Sequence, residues 1–161
     1  MKKILVMGLA AVATLGIASC DNQVKPSGEG DKDVLYSGIL PAADAQGIIY
    51  TLRLEYDADH NYTDGDFAMV ENYLQYDSVA ASGLKEAVTS YSEGDFKKES
   101  KQVDGATVEY IRLIPDAKEG LGAASTTETY FVVNADGSLT MVGPDLQKSE
   151  VPGLNYTLTV K

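Results

Sequence analysis

Residues 48–56 read Ile-Ile-Tyr-Thr-Leu-Arg-Leu-Glu-Tyr, which puts Ile48, Tyr50, Leu52, Leu54 and Tyr56 on one side of an extended chain and Thr51, Arg53 and Glu55 on the other. A period of two over nine residues predicts a strand with one buried and one wet face. The last segment repeats the pattern, with Leu154, Tyr156, Leu158 and Val160 expected inward and Asn155, Thr157, Thr159 and Lys161 outward. Between and before these lie further β-rich runs at 34–39, 67–76, 90–97, 107–114, 127–133 and 138–142, most of them bounded by turn residues. Asn134-Ala135-Asp136-Gly137 supplies a hairpin turn between the last two runs, and Asp104-Gly105 and Glu93-Gly94-Asp95 can reverse the chain elsewhere. Only Ser82 to Val88 hints at a short helix, with Leu84, Ala87 and Val88 apolar. About eight short strands with near-neighbour turns predict an all-β fold, a small antiparallel meander closing into a barrel, because a βαβ sheet would need crossover helices that this pattern does not supply. Closure also removes exposed edges.

The first twenty residues follow a different rule. Lys2 and Lys3 are followed by an apolar stretch from Ile4 to Ile17, too short to cross a bilayer comfortably, and then by Ala18, Ser19 and Cys20. This is the layout of a secretory signal, and Ile17-Ala18-Ser19-Cys20 resembles the lipobox of bacterial lipoproteins, in which the cysteine sulfur takes up a diacylglyceryl group and the cysteine becomes the first mature residue. Residues 1–19 are therefore expected to be a signal peptide. Residues 20–33, polar and carrying Pro26, Gly28 and Gly30, are expected to be a flexible tether from lipidated Cys20, and residues 34–161 the barrel domain.

Charge and composition then remove function classes. The 161 residues carry 13 basic and 24 acidic side chains, a net of -11, the wrong sign for gripping phosphate backbones, so nucleic acid is not an expected partner. Loss of residues 1–19 removes Lys2 and Lys3 and no acid, leaving 11 basic against 24 acidic residues, or -13. Such a body is repelled from anionic headgroups, and its link to the membrane is expected to be the acyl anchor, each buried methylene contributing about 0.8 kcal/mol. One cysteine excludes an intrachain disulfide framework, and one histidine argues against a histidine-rich metal site or a Ser/His/Asp hydrolase. With no glycine-rich phosphate loop, nucleophile elbow or spaced carboxylate pair, the chain is not expected to be an enzyme.

The stretch Tyr36-Ser37-Gly38-Ile39-Leu40-Pro41-Ala42-Ala43-Asp44-Ala45-Gln46-Gly47-Ile48 resembles the opening of the NlpE family, envelope lipoproteins named for copper resistance and surface sensing. Their N-terminal domain typically reads tyrosine, glycine, proline, then cysteine-x-aspartate-cysteine, then glycine-isoleucine and a strand rich in threonine and leucine. Tyr36, Gly38, Pro41, Asp44, Gly47, Ile48, Thr51, Leu52 and Leu54 match in order, and Leu139, Met141 and Asn155-Tyr156-Thr157-Leu158 are similar to the closing strands; residues 77–126 match more loosely. The resemblance implies a lipocalin-like barrel in the bacterial envelope, with a part in envelope stress or surface sensing or in ligand binding, and with an envelope protein as a further partner; attachment through Cys20 is expected at the outer membrane, with the inner membrane left open by Asp21, which resembles a retention signal of enteric bacteria. The alternatives are a lipocalin-type carrier of a small amphipathic ligand and a structural surface module. Within the motif, Gly38 and Gly47 are expected to hold backbone that a β-carbon would oppose, Pro41 to stiffen the first connection, and Asp44 to brace the turn.

The two family cysteines are replaced by Ala42 and Ala45, which can neither bind Cu(I) nor form a redox pair, so copper binding at this loop is not carried over. Besides the acylated Cys20, only Met69, Met141 and His60 remain as soft donors, at no ligand-like spacing, and neither metal nor cofactor is expected. Asp57, Asp59 and Asn61 occupy positions one, three and five of a calcium loop, but Tyr62 stands where the bend needs glycine and Ala68 where the bidentate glutamate belongs, which favours a solvated hairpin loop with His60 exposed. Ten tyrosines against three phenylalanines could line a barrel mouth, although Tyr50, Tyr56 and Tyr156 fall on the phase expected of core.

Overall fold

A computed structural model describes residues 32–43, 45–79, 83–116, 127–149 and 151–161. Eight strands follow one another in chain order: β1 (Lys32–Leu40), β2 (Gly47–Tyr56), β3 (Asp64–Tyr76), β4 (Leu84–Val103), β5 (Ala106–Pro115), β6 (Thr129–Val133), β7 (Leu139–Val142) and β8 (Thr157–Val160). Each pairs antiparallel with its neighbour, and β8 returns to β1 through Tyr36 opposite Val160 and Ser37 opposite Thr159, closing the barrel. Among the described residues there is no helix. The expected all-β meander barrel is therefore the observed fold, with the strand number and order of a lipocalin-type cylinder.

The alternation of β2 explains why the sheet curls. Ile48, Tyr50, Leu52, Leu54 and Tyr56 are all buried, and the register carries the same face across β1 (Tyr36 opposite Leu52) and β3 (Phe67 opposite Leu54, Met69 opposite Leu52). Phe96, Leu113, Phe131, Leu139 and Leu158 continue that face around the barrel with no exposed surface at all. Tyr56 and Phe96 meet edge to face, with ring centroids 4.9 Å apart, the arrangement their quadrupoles prefer. The outer face carries Arg53, Glu55, Asp66, Asp95, Lys97 and Glu99, and Arg53 reaches Asp33 at 2.8 Å and Glu55 at 3.1 Å. Apolar inside and charged outside is the reverse of a membrane-spanning barrel.

β4 departs furthest from expectation. The segment expected as a short helix at 82–88 enters a 20-residue strand at Leu84, with a register shift opposite Tyr73 and Leu74. Glu93-Gly94-Asp95, expected to reverse the chain, lies in mid-strand, where Gly94 pairs with Phe67 on one side and Pro115 on the other. Gly94 is needed for a close approach rather than a turn: a β-carbon there would stand 2.3 Å from the carbonyl oxygen of Ile114. Gly38 follows the same logic, since its β-carbon would lie 2.7 Å from the carbonyl of Thr157, so the constraint comes from β8 and not from an unusual backbone angle of its own. The two other expected turns are present. Asp104 and Gly105, with φ of 49° and 82°, join β4 to β5, and residues 134–138 join β6 to β7.

Two further boundaries differ. Lys32 and Asp33, expected in the tether, already pair with Tyr56 and Glu55 in β1. β8 begins only at Thr157, and of its expected inward residues only Leu158 is fully buried, while Leu154 and Val160 are 47% and 53% exposed. Leu154 belongs instead to a turn closed by its N–H donating to the carbonyl of Val151. Before that turn the chain leaves β7 as an external strap: Gln147 donates to Asp104 at 3.2 Å and Lys148 to Asn134 at 2.6 Å. The strap's Leu146 is buried, as are Val132 and Thr140, which the register turns outward from the barrel.

Candidate functional site

The meander sorts its connections between two ends. Residues 57–63, the Asp104-Gly105 turn and residues 134–138 lie at the end where β1 starts and β8 stops; residues 41–43, 45–46, 77–79 and 83 lie at the other. Two groups of side chains deserve chemical comparison, one at each end.

At the end that holds the chain termini of the barrel, the β2–β3 loop brings together Asp57, His60 and Asp64, whose ligand atoms lie within 4.8 Å of one another. His60 Nδ1 is 2.8 Å from Asp64 and 3.3 Å from Asp57, and the ring is 61% exposed, as the sequence led one to expect. The hydrogen bond to Asp64, with the charges of Asp64 and Asp57, holds the imidazole above its ordinary value of 6.5 and favours the imidazolium. Asp57 also accepts from the N–H of Asp59 at 2.8 Å. The calcium-loop spacing of Asp57, Asp59 and Asn61 is thus spent differently: Asp57 folds the turn, and Asp64 rather than Asp59 joins it at the histidine. Asn61 and Tyr62 both adopt left-handed backbone, at φ of 55° and 58°, to bend the loop without the glycine a calcium loop uses. Asp57, His60 and Asp64 could hold a divalent ion, yet each already has a partner within the loop.

At the opposite end the inward face changes character. The row made by Gly38, Tyr50, Glu71 and Ser90 is in register across four strands, so all four positions face the interior. The next row outward along β2 and β3 is Leu40, Ile48 and Tyr73, and the row beneath it is Tyr36, Leu52, Met69 and Ser92. Glu71 is therefore an inward carboxylate, set between the phenols of Tyr50 and Tyr73 and facing serine on β4. Burial raises its pKa above the ordinary 4.5. Burial also pushes the Tyr50 phenol well above its ordinary range, helped by the charge of Glu71 and by Tyr73. Among the described residues no ion pair or hydrogen bond is formed by the Glu71 carboxylate. Tyr36 and Tyr56, deeper in the barrel, are linked by a side-chain hydrogen bond; burial raises both phenols.

The motif residues surround this end. Tyr36 and Gly38 lie on β1, Pro41 follows it directly, and Gly47 opens β2. The connection is pinned by the N–H of Gln46 donating to the carbonyl of Leu74 at 2.9 Å. Ala42, standing where the family has its first cysteine, packs against the core, so a methyl fills space that a thiolate would occupy. Asp44 and Cys20, like residues 1–19 and most of the tether, lie outside the described residues.

Over residues 36–151 the chain matches the family model of the NlpE N-terminal domain. The chain belongs to the NlpE family. Its members are envelope lipoproteins, and that match includes both the altered cysteine loop and the inward Glu71 row of this NlpE-type barrel. Comparisons with curated proteins and with solved structures returned no match.

Glu71 was missed by reading the sequence, and so were Ser90, Ser92 and Tyr73. The signal was present in the phase of β3: Phe67, Met69, Glu71 and Tyr73 are spaced by two, so the residues flanking Glu71 on the core face give away its direction.

Proposed function

We propose that this NlpE-type barrel is a non-catalytic envelope lipoprotein, anchored to the outer membrane through acylated Cys20, that works by binding in its barrel mouth. The observation that carries the binding reading is the inward row Gly38, Tyr50, Glu71 and Ser90, where a phenol, a carboxylate and a hydroxyl interrupt the mostly apolar interior. A few polar groups set within an apolar interior are what a small-molecule site needs to orient its ligand. The acyl anchor is supported by the lipobox order at 17–20 and by the polar tether that follows. Native mass spectrometry of the purified protein checks the binding reading: a retained adventitious ligand lost on Ser90→Phe supports it, and an empty barrel that takes up no amphiphile contradicts it.

A sensing role is the second reading, favoured by membership of a family associated with surface sensing. It predicts that overproduction raises an envelope-stress reporter only while Cys20 is intact, and that Cys20→Ser abolishes the response. A response untouched by Cys20→Ser would exclude signalling from an anchored position.

A further inference from the structure

We propose that the free edge of β4 is a docking strip, to which an extended acidic segment of a partner protein adds as a further antiparallel strand. This surface is separate from the barrel interior, and the proposal goes beyond binding there. Three observations carry it. First, the β4–β5 hairpin outruns the barrel. β3 pairs with β4 only as far as Lys97, opposite Asp64, and β6 pairs with β5 only as far as Tyr110, opposite Val132, whereas β4 and β5 stay paired to Val103 and Ala106. Residues 99–103 of β4 therefore have a strand on one side and, among the described residues, none on the other.

Second, the bare side presents main-chain hydrogen-bonding groups. The N–H of Lys98 donates to the carbonyl of Thr63 at 2.6 Å, on the side away from β5, and in an antiparallel ladder every second residue points the same way. Ser100 and Gln102 thus aim their N–H and C=O groups outward, where no backbone partner meets them among the described residues, and both residues are exposed. Such a row is a template for another strand, with main-chain bonds supplying the affinity.

Third, charge selects the occupant. Lys98 pairs with Glu109 and Glu99 with Arg112, while exposed Lys101, at the centre of the strip, makes no ion pair among the described residues. Thr63 already sits opposite Lys98, so a second copy of this edge must pair over residues 99–103, which sets Lys101 directly against its own counterpart. Like charges directly opposite are destabilising, and a carboxylate in that place turns the repulsion into attraction. The edge therefore rejects its own copy and fits an acidic strand.

The test uses the full chain carrying Cys20→Ser and short capped peptides that alternate threonine with glutamate or threonine with lysine, followed by amide NMR and hydrogen exchange. The glutamate peptide is expected to bind and to slow exchange at Ser100 and Gln102. Lys101→Glu should weaken it by about tenfold and strengthen the lysine peptide, the swing from an opposite-charge to a like-charge cross-strand pair. Ser100→Pro, which removes an outward N–H and leaves the bonds to β5 intact, should abolish binding. N-methylation of the peptide's threonines should do the same. Equal binding of the two peptides overturns the acidic assignment, and binding untouched by Ser100→Pro or by N-methylation overturns strand addition. Failure of the glutamate peptide to bind overturns the proposal outright. Slow exchange at Ser100 and Gln102 without peptide overturns it too, marking a second copy as occupant when it grows with protein concentration and the chain's own residues 1–31 when it does not.

Discussion

The two halves of the barrel interior are built on one register yet differ in kind. Phe96, Leu113, Phe131, Leu139 and Leu158 are hydrocarbon side chains with no exposed surface, whereas two residues along β3 from Met69 the same face carries Glu71, with Ser90 opposite. Period-two alternation fixes only which way a side chain points. What it meets there depends on how strongly the neighbouring strands converge, and Gly94, drawn against the carbonyl of Ile114, draws β4 and β5 together beside the packed half. One half is thus a stability element, and the other is free to carry polar groups.

The contrast is broken most severely in the packed half. Phe96→Ala removes a ring with no exposed surface and should cost about 3–5 kcal/mol in urea melts, while Ser90→Ala at the mouth should stay within about 1 kcal/mol of the wild type. Gly94→Ala should lose roughly 2–3 kcal/mol, because the new methyl must push the Ile114 carbonyl away and part β4 from β5; a neutral result in the same melts would show that the strands do not close so tightly. Leu146→Ala removes the apolar plug of the external strap and should cost about 2 kcal/mol, at the low end for a buried leucine because the strap can settle onto β6. Amide exchange at Val132 should quicken in that variant.

Smaller effects sharpen the comparison through pH. The folded carboxyl of Glu71 holds its proton above the ordinary 4.5, so its contribution to stability is complete below that pH and is lost as pH climbs through the folded value. Glu71→Gln has no such loss. It should melt higher than the wild type at pH 7, by less than about 1 kcal/mol because Glu71 is only partly buried and water screens it, and the gap should close below pH 4.5. At the other end His60 is raised above 6.5, so its pairing with Asp64 and Asp57 is fully present below that pH and fades as pH rises through the folded value. Its exposure makes this the weakest effect of all, visible as a His60 chemical-shift titration that Asp64→Asn moves down.

Much of this architecture was legible from residue pattern. β2 announced itself, because residues 50–56 alternate without interruption, and Asp104-Gly105 and residues 134–137 named their own turns. β4 was less legible for two separate reasons. Leu84, Ala87 and Val88 mimic a helical face over too few residues to separate the periods, and Gly94 carries the composition of a turn while serving a close approach between strands. At the C-terminus, Leu154 shares the phase of Leu158 but stands outside the ladder, since phase says nothing about where pairing stops. The mouth was hidden because a lone glutamate among β-strand residues reads as surface until its neighbours' direction is known. Cross-strand register, which no local pattern contains, sets Glu71 beside Tyr50 and Ser90.

Carbon-13 NMR titration of the Glu71 carboxyl measures the inward, desolvated mouth most directly. The carboxyl should titrate above 4.5 in the folded barrel and return to the ordinary value once urea unfolds the chain and water reaches it. Titration at or below 4.5 in the folded barrel would place Glu71 in open water and contradict the account.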